Sequence, residues 1–187
     1  ECYENQLKLV QEFVSMEDTC LEVAVGKGFM LQVAKNKFKE ISGVDIDPKI
    51  IEHNKAINPD IDIVLSDILD LPEDKKYDKA MDVLEHIEDV GAFVRKLYSI
   101  TNKYAIIQVP VDRPIIPPNH HLLENPKSYQ AKFDGHLHYF TKFSLVKAFT
   151  KDDMFECVFL YKTKKGECAG LEELLSVFRI KGKPNVH

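Results

Sequence analysis

"LEVAVGKGFM", Leu21 to Met30, runs from an apolar segment straight into two glycines one residue apart, Gly26 and Gly28. Apolar strand residues, a Gly-x-Gly turn and then a helical pattern are how an α/β sheet presents bare backbone amides to a ligand at a helix N-terminus. The segments on either side fit that reading. Downstream, "EISGVDI", "DIDIVLSD", "YDKAMDVL" and "KYAIIQVP" are short apolar runs, separated by helical patterns around residues 28–39, 48–57 and 88–100. Strand and helix in strict turn predict a parallel sheet covered by helices on both faces. Ligands of such sheets sit outside the carboxyl ends of the strands where strand order reverses, which is where the Gly26–Gly28 turn belongs.

Upstream, Leu7, Val10, Phe13 and Val14 recur at helical spacing and predict an amphipathic helix leading into the first strand. The later third is different. Val111 to Phe140 holds four prolines and four histidines without sustained periodicity, and reads as a long irregular insertion. Segments of that size within a compact domain usually carry function, and a substrate lid over 111–140 is the expectation. Thr141 then caps a helix to about Thr150, and "MFECVFLYK" and "LLSVFRIKG" are strand-like runs suited to a closing antiparallel pair.

At 187 residues, with 44% hydrophobic content and no internal repeat, the chain is expected to be one domain with one substantial core. A net charge of −5 disfavours non-specific nucleic-acid binding, which needs a broad basic face. The basic runs "YKTKKGE" and "FRIKGKP" read as a solvated face. No apolar run approaches the ~20 residues that cross a bilayer. Cys2, Cys20, Cys157 and Cys168 are scattered without a C-x-x-C pair, which fits reduced thiols in a cytoplasmic protein better than a disulfide frame or a zinc site.

Asp45, in "SGVDIDPKII", ends the second strand about 17 residues after Gly28, where an acid accepts hydrogen bonds from both hydroxyls of a nucleoside ribose. The competing reading has Asp45 capping the next helix, a task that Asp47 before Pro48 can also perform. A dinucleotide site would carry a third glycine where this chain has Leu31, so a nucleoside without phosphates fits better.

These motifs, in this order, resemble the class I S-adenosylmethionine-dependent methyltransferases, over about Leu21 to Tyr161. The resemblance implies a Rossmann-like fold: a doubly wound, mostly parallel seven-stranded sheet with S-adenosyl-L-methionine as cofactor. "LEVAVGKG" is similar to the family's acidic-x-Gly-x-Gly-x-Gly loop, with Glu22 as the acid and Gly26 and Gly28 as its later glycines. Ala24 replaces the first glycine, which is acceptable if it keeps strand dihedrals. By the same resemblance Asp45 binds the ribose and Ile46 lies beside the adenine. Asp67 of "SDILDLP" accepts from the adenine amino group while the Ile68 amide faces the ring, and Asp82 and Val83 flank the methionine part. Where the family has a glycine pair before the fifth strand this chain has "ITNKY", and "TKDDMF" replaces its Ala-Gly turn after the last helix.

Methyl transfer from a sulfonium needs chiefly a nucleophile held in line, and a base where that nucleophile carries a proton. The candidate bases are His86, at the end of the fourth strand, and the insertion's His120, His121, His136 and His138, with His136 and His138 foremost. Asp82, Glu85 and His86 in "DVLEHIED" resemble a metal-binding pattern of members that act on quinone precursors or RNA ends. Glu85 capping the following helix without metal is the plainer reading. The expected activity is methylation of an O or N nucleophile on a small molecule or glycan. The alternatives are a metal-dependent methyltransferase, a non-catalytic methyltransferase-like partner subunit, and a nucleotide-dependent dehydrogenase, which the missing third glycine disfavours.

Overall fold

The computed structural model describes residues 2–111, 137–138, 140–163 and 173–182, with the backbone alone at Asp82 and Val83. In chain order it contains α1 (Cys2–Leu9), β1 (Thr19–Val23), α2 (Phe29–Ala34), β2 (Glu40–Asp45), α3 (Pro48–Ile57) and β3 (Asp62–Leu65). Then come β4 (Tyr77–Val83), α4 (Val90–Ile100), β5 (Thr101–Pro110), α5 (Lys142–Thr150), β6 (Phe155–Lys162) and β7 (Glu173–Ile180). Short 3₁₀ turns occupy Gln11–Phe13, Ile68–Asp70 and Leu84–His86.

The strands form one seven-stranded sheet in the order β3-β2-β1-β4-β5-β7-β6. β1 to β5 are mutually parallel, and β7 runs antiparallel to both of its neighbours. The chain starts at β1, winds outward to β3, then returns to β4 on the other side of β1. The crevice at the carboxyl ends of β1 and β4 is therefore the switch point. The expected closing antiparallel pair is present: β7 inserts between β5 and β6, so that β6 is the sheet edge.

Alternation along each strand divides the core between the two faces. On one face Leu21, Val23, Ala105, Ile107, Val109 and Phe178 pack against Phe93, Val94, Leu97 and Ile100 of α4 and Leu145 and Phe149 of α5. Burying each such large side chain stabilises the fold by about 1.5–3 kcal/mol. On the other face Cys20, Ile41, Met81, Ile106 and Val177 meet Leu7 of α1, Leu31 and Ala34 of α2, and Ile51 of α3. The single amphipathic helix expected over Leu7–Val14 is instead α1 followed by a 3₁₀ turn, and it is Leu7 and Val10 that are buried.

Helix starts follow the sequence signals. Asp47 caps α3 by accepting from the Lys49 amide at 2.8 Å, with Pro48 in the first turn. Asp89 caps α4 through the Ala92 amide at 2.9 Å. Thr141 and Ser144 form a reciprocal capping box at the start of α5. After α5, Asp153 adopts φ +56, taking the left-handed turn position within "TKDDMF". Asp is among the few non-glycine residues that tolerate that conformation.

At the amino edge of the sheet, the buried Asp18 carboxylate is paired with Lys79 and with Lys103, the latter at 2.6 Å. Burial pushes this acid upward, but hydrogen bonds and charge from the two lysines together hold it below its ordinary value. This network ties the starts of β1, β4 and β5, and leaves the carboxyl edge for chemistry.

Of the 111–140 insertion, all but Val111, Leu137, His138 and Phe140 lies outside the described residues, and with it the expected lid. No helix among the described residues is long and apolar enough to cross a membrane.

Candidate active site

The turn after β1 is built by backbone geometry. Ala24, Gly26 and Gly28 all have positive φ, at +56, +53 and +72. The expectation that Ala24 keeps strand dihedrals is not met: it lies in the left-handed region, where a β-carbon crowds the following carbonyl. A β-carbon on Gly26 would meet nothing nearer than the Ala24 carbonyl oxygen at 3.8 Å, so the chain is open on that side. Gly28 is confined from beneath, since a β-carbon there would lie 1.9 Å from Asn54 Oδ1.

Two side chains hold this turn. The Gly26 amide donates to Asp45 Oδ2 at 3.1 Å, and the Asp47 amide donates to Asp45 Oδ1 at 2.9 Å. Asp45 does not cap α3; Asp47 does, which removes the competing reading. Each Asp45 oxygen keeps a further lone pair, so the half-exposed carboxylate remains able to accept from a pair of hydroxyls. From below, Asn54 Nδ2 on α3 donates to the Gly26 carbonyl at 2.7 Å, and Asn58 Nδ2 donates to Asn54 Oδ1 at 3.1 Å. Asn54 was not foreseen; its signal is a polar residue on the α3 face that turns toward the glycine turn.

Around Asp45 the surface is apolar. Ile46 is 72% exposed, and Leu65 and Leu69 are also exposed. Asp67 caps its 3₁₀ turn through the Leu69 amide at 2.9 Å and is itself exposed, while the Ile68 side chain is buried.

At the carboxyl ends of β1 and β4 lies a cavity of about 240 Å³, with α1 contributing Gln6 and Leu7 to its wall. Glu22, near the end of β1, lines it; the residue is 8% exposed and its Oε2 has no hydrogen-bond partner among the described residues. Burial pushes the Glu22 carboxyl up to about 8. A buried acid without a partner is costly, and a cation brought beside it would restore the ionised form. Glu85 and Glu173, both buried, line the same cavity. Gln108 and Gln6 donate to Glu173 Oε2 at 2.8 and 3.2 Å. Glu85 therefore faces the cavity, and the cap of α4 expected from it is supplied by Asp89.

The histidines stand differently. His86 is exposed, with Nε2 3.9 Å from Glu85 Oε1, and is not among the residues lining the cavity. His138 is tied back to the turn after β4: its amide and that of Leu137 donate to the Glu85 carbonyl, and its Nε2 lies 3.3 Å from the Glu88 carbonyl oxygen. It too is absent from the cavity lining. His120, His121 and His136 lie outside the described residues. Among the described residues no group of three or more His, Cys, Asp or Glu has an arrangement that would hold a metal ion.

Residues 6–154 match the family model described as a methyltransferase domain. The chain belongs to the methyltransferase family. It is accordingly an enzyme, and S-adenosyl-L-methionine is its cofactor. Among solved structures, the N-methyltransferase NodS of Bradyrhizobium japonicum in complex with S-adenosyl-L-homocysteine shares 15% identity with a TM-score of 0.70. That match covers 96% of this chain and 85% of the other. A putative methyltransferase of Bacillus halodurans shares 14% identity with a TM-score of 0.72, over 93% of this chain and 97% of that one. Magnesium protoporphyrin IX methyltransferase of Synechocystis, with bound S-adenosyl-L-homocysteine, shares 16% identity with a TM-score of 0.66, over 96% and 81%. At these identities the likeness is one of fold. No curated protein matches the sequence.

Proposed function

We propose that this methyltransferase transfers a methyl group to an N or O nucleophile of a small molecule or glycan, as a single domain whose 111–140 segment covers the acceptor. The carrying observation is the cavity at the carboxyl ends of β1 and β4, which has in its wall Glu22, whose Oε2 has no hydrogen-bond partner among the described residues, and adjoins the turn held by Gly26 and Asp45. When bound, the cofactor supplies an electrophilic sulfonium methyl.

The chain's own residues divide the work of holding it. Asp45 accepts from the ribose hydroxyls while its bonds to the Gly26 and Asp47 amides keep the carboxylate in place. Ile46, Asp67 and Ile68 form the adenine side. Ala24, Gly26 and Gly28 bring the backbone close to the methionine part, with Asp82 and Val83 opposite at the end of β4. Glu22 faces the amino acid ammonium, which supplies the charge its buried carboxylate lacks. His136 and His138 remain the proposed acceptor-side bases and His86 a third, subject to a shift of His138 away from the Glu88 carbonyl.

A thermal-shift comparison of S-adenosylmethionine, S-adenosylhomocysteine and NAD tests the reading, because a ligand that binds only the folded state raises the melting point. Stabilisation by both adenosyl compounds and none by NAD is expected. No response to either adenosyl compound would overturn the proposed site.

A further inference from the structure

We infer that Lys96 is a positioning residue for the base end of the cofactor: from α4 it holds the Asp67–Leu71 segment in the pose that selects adenine. The inference deepens the methyltransferase reading and rests on the proposed placement of Asp67 and Ile68 beside the adenine. Those two residues belong to the connection between β3 and β4. Of residues 66–76, Ile68 is buried, Ser66 and Leu71 are partly buried, and the rest are exposed. Asp67 accepts from the Leu69 amide at 2.9 Å, a local bond that shapes the 3₁₀ turn without tying it to another element. The Ile68 side chain seats the turn in the core, but apolar burial is non-directional and does not by itself set the turn's orientation.

Directional ties lie on either side of the turn. Before it, the Ser66 amide donates to the Asp45 carbonyl at 3.0 Å, so the segment starts from the strand end that carries the proposed ribose acid. After it, the Lys96 ammonium donates to the Leu71 carbonyl. The Leu71 amide in turn donates to the Ile68 carbonyl at 3.1 Å, which carries the restraint back into the turn. A second lysine, Lys76, reaches the Ser99 carbonyl of α4 at 2.6 Å, but from the start of β4.

Lysine is a costly choice at position 96. The residue stands on α4 among Phe93, Val94, Leu97 and Ile100 and is only 9% exposed. An ammonium withdrawn from water needs hydrogen-bonding partners, whereas a methionine would cover the same core surface without needing any. Its Nζ also lies 3.9 Å from an oxygen of the exposed Glu73 carboxylate. Leu71 and Glu73 both belong to the β3–β4 connection, so the buried cation acts on the segment that carries Asp67 and Ile68.

Calorimetric titration tests this with S-adenosylhomocysteine and its deaminated analogue S-inosylhomocysteine, where a carbonyl oxygen replaces the exocyclic amino group. The proteins are the parent, Lys96→Met, Asp67→Ala and the double variant. The parent is expected to prefer the adenosyl compound by about tenfold, because the analogue sets an oxygen against the Asp67 carboxylate. Lys96→Met keeps the stem and deletes the ammonium, and should reduce that preference to about threefold or less. Asp67→Ala should bring it close to parity, and adding Lys96→Met should change it no further, as expected of residues that act through one contact. Should Lys96→Met fail to fold, Lys96→Gln, polar but too short to reach the same carbonyl, is read in the same way. A residue that merely stabilises the fold would weaken both ligands equally. An unchanged preference in the folded variant therefore overturns the inference, as do effects of Lys96→Met and Asp67→Ala that simply multiply. A parent without any preference would overturn the placement of the adenine itself, which separates the two readings.

Discussion

Asn54 Nδ2 lies 2.7 Å from the Gly26 carbonyl oxygen, so a residue of α3 holds the glycine turn from beneath while Asp45 holds it from the side. Asn54 is fully buried and also receives the Asn58 amide. Asn54→Ala should therefore leave buried polar groups unmatched and lower stability by about 1–3 kcal/mol. It should weaken S-adenosylhomocysteine binding as well, because the turn loses its support. Denaturant unfolding with calorimetry reads both, and a variant equal to the parent in each would remove this role.

Asp45→Ala should damage cofactor binding more than any single change at the adenine side. It deletes the proposed acceptor of two ribose hydroxyls, each charge-assisted bond contributing about 1.5–3 kcal/mol, and frees the Gly26 amide. Asp67→Ala should have the smaller effect, since Asp67 is exposed and its bond to the Leu69 amide is local. Calorimetric Kd values for S-adenosylhomocysteine rank the two; the reverse order would misplace the ribose.

Ala24 at φ +56 carries a strain that glycine would not. Ala24→Gly removes roughly 1–2 kcal/mol of steric conflict and adds about 0.4–1 kcal/mol of unfolded-state entropy. A net gain of about 0.5–1 kcal/mol is expected, visible as a melting point a few degrees higher. A lower melting point would show that Ala24 makes contacts of greater value than the strain.

Glu22 links folding to pH. Its carboxyl is raised by burial from 4.5 to about 8, so it stays protonated in the folded chain while the unfolded chain ionises. Its contribution to stability therefore declines as pH rises from about 4.5 to about 8, and is constant above that window. Glu22→Gln should flatten this part of the stability profile. Near pH ~7 an ammonium bound beside Glu22 should also expel its proton. Titrating S-adenosylhomocysteine in buffers of different ionisation enthalpy should then show proton release that Glu22→Gln abolishes. Equal release by both proteins would put the ammonium elsewhere.

The parallel half of the fold was readable because local pattern and topology agree there. Alternating apolar runs, Asp47 before Pro48, and Thr141 ahead of an apolar helix each specify a local conformation that the sheet then uses. The turn proposed to hold the cofactor follows the same logic: Glu22, Gly26 and Asp45 sit at or just after strand ends in a recurring order. The far wall of the cavity was not readable. Gln6 and Glu173 are 167 positions apart and meet only once β7 has entered the sheet, so no window of sequence contains their relationship. Histidine content drew attention to His136 and His138, but it did not foretell that the His138 ring would lie 3.3 Å from the Glu88 carbonyl oxygen. Composition reveals which groups are available; it does not reveal which way a loop turns them.

The place of β7 between β5 and β6 sets the order in which this enzyme can be completed. A chain emerging from the ribosome makes β6 before the strand that joins it to the rest of the sheet, so until Glu173–Ile180 is released β5 and β6 both present unpaired edges. Such edges are liable to pair with other chains, and closing them requires contacts between residues far apart in sequence, which form slowly. The same strand begins with Glu173, whose carboxylate lines the cavity. A nascent chain lacking it would carry the glycine turn and Asp45 but an unfinished cavity wall. Competence for methyl transfer is thus expected to await β7, and chains stalled before Glu173 are expected to be both idle and exposed to aggregation or proteolysis.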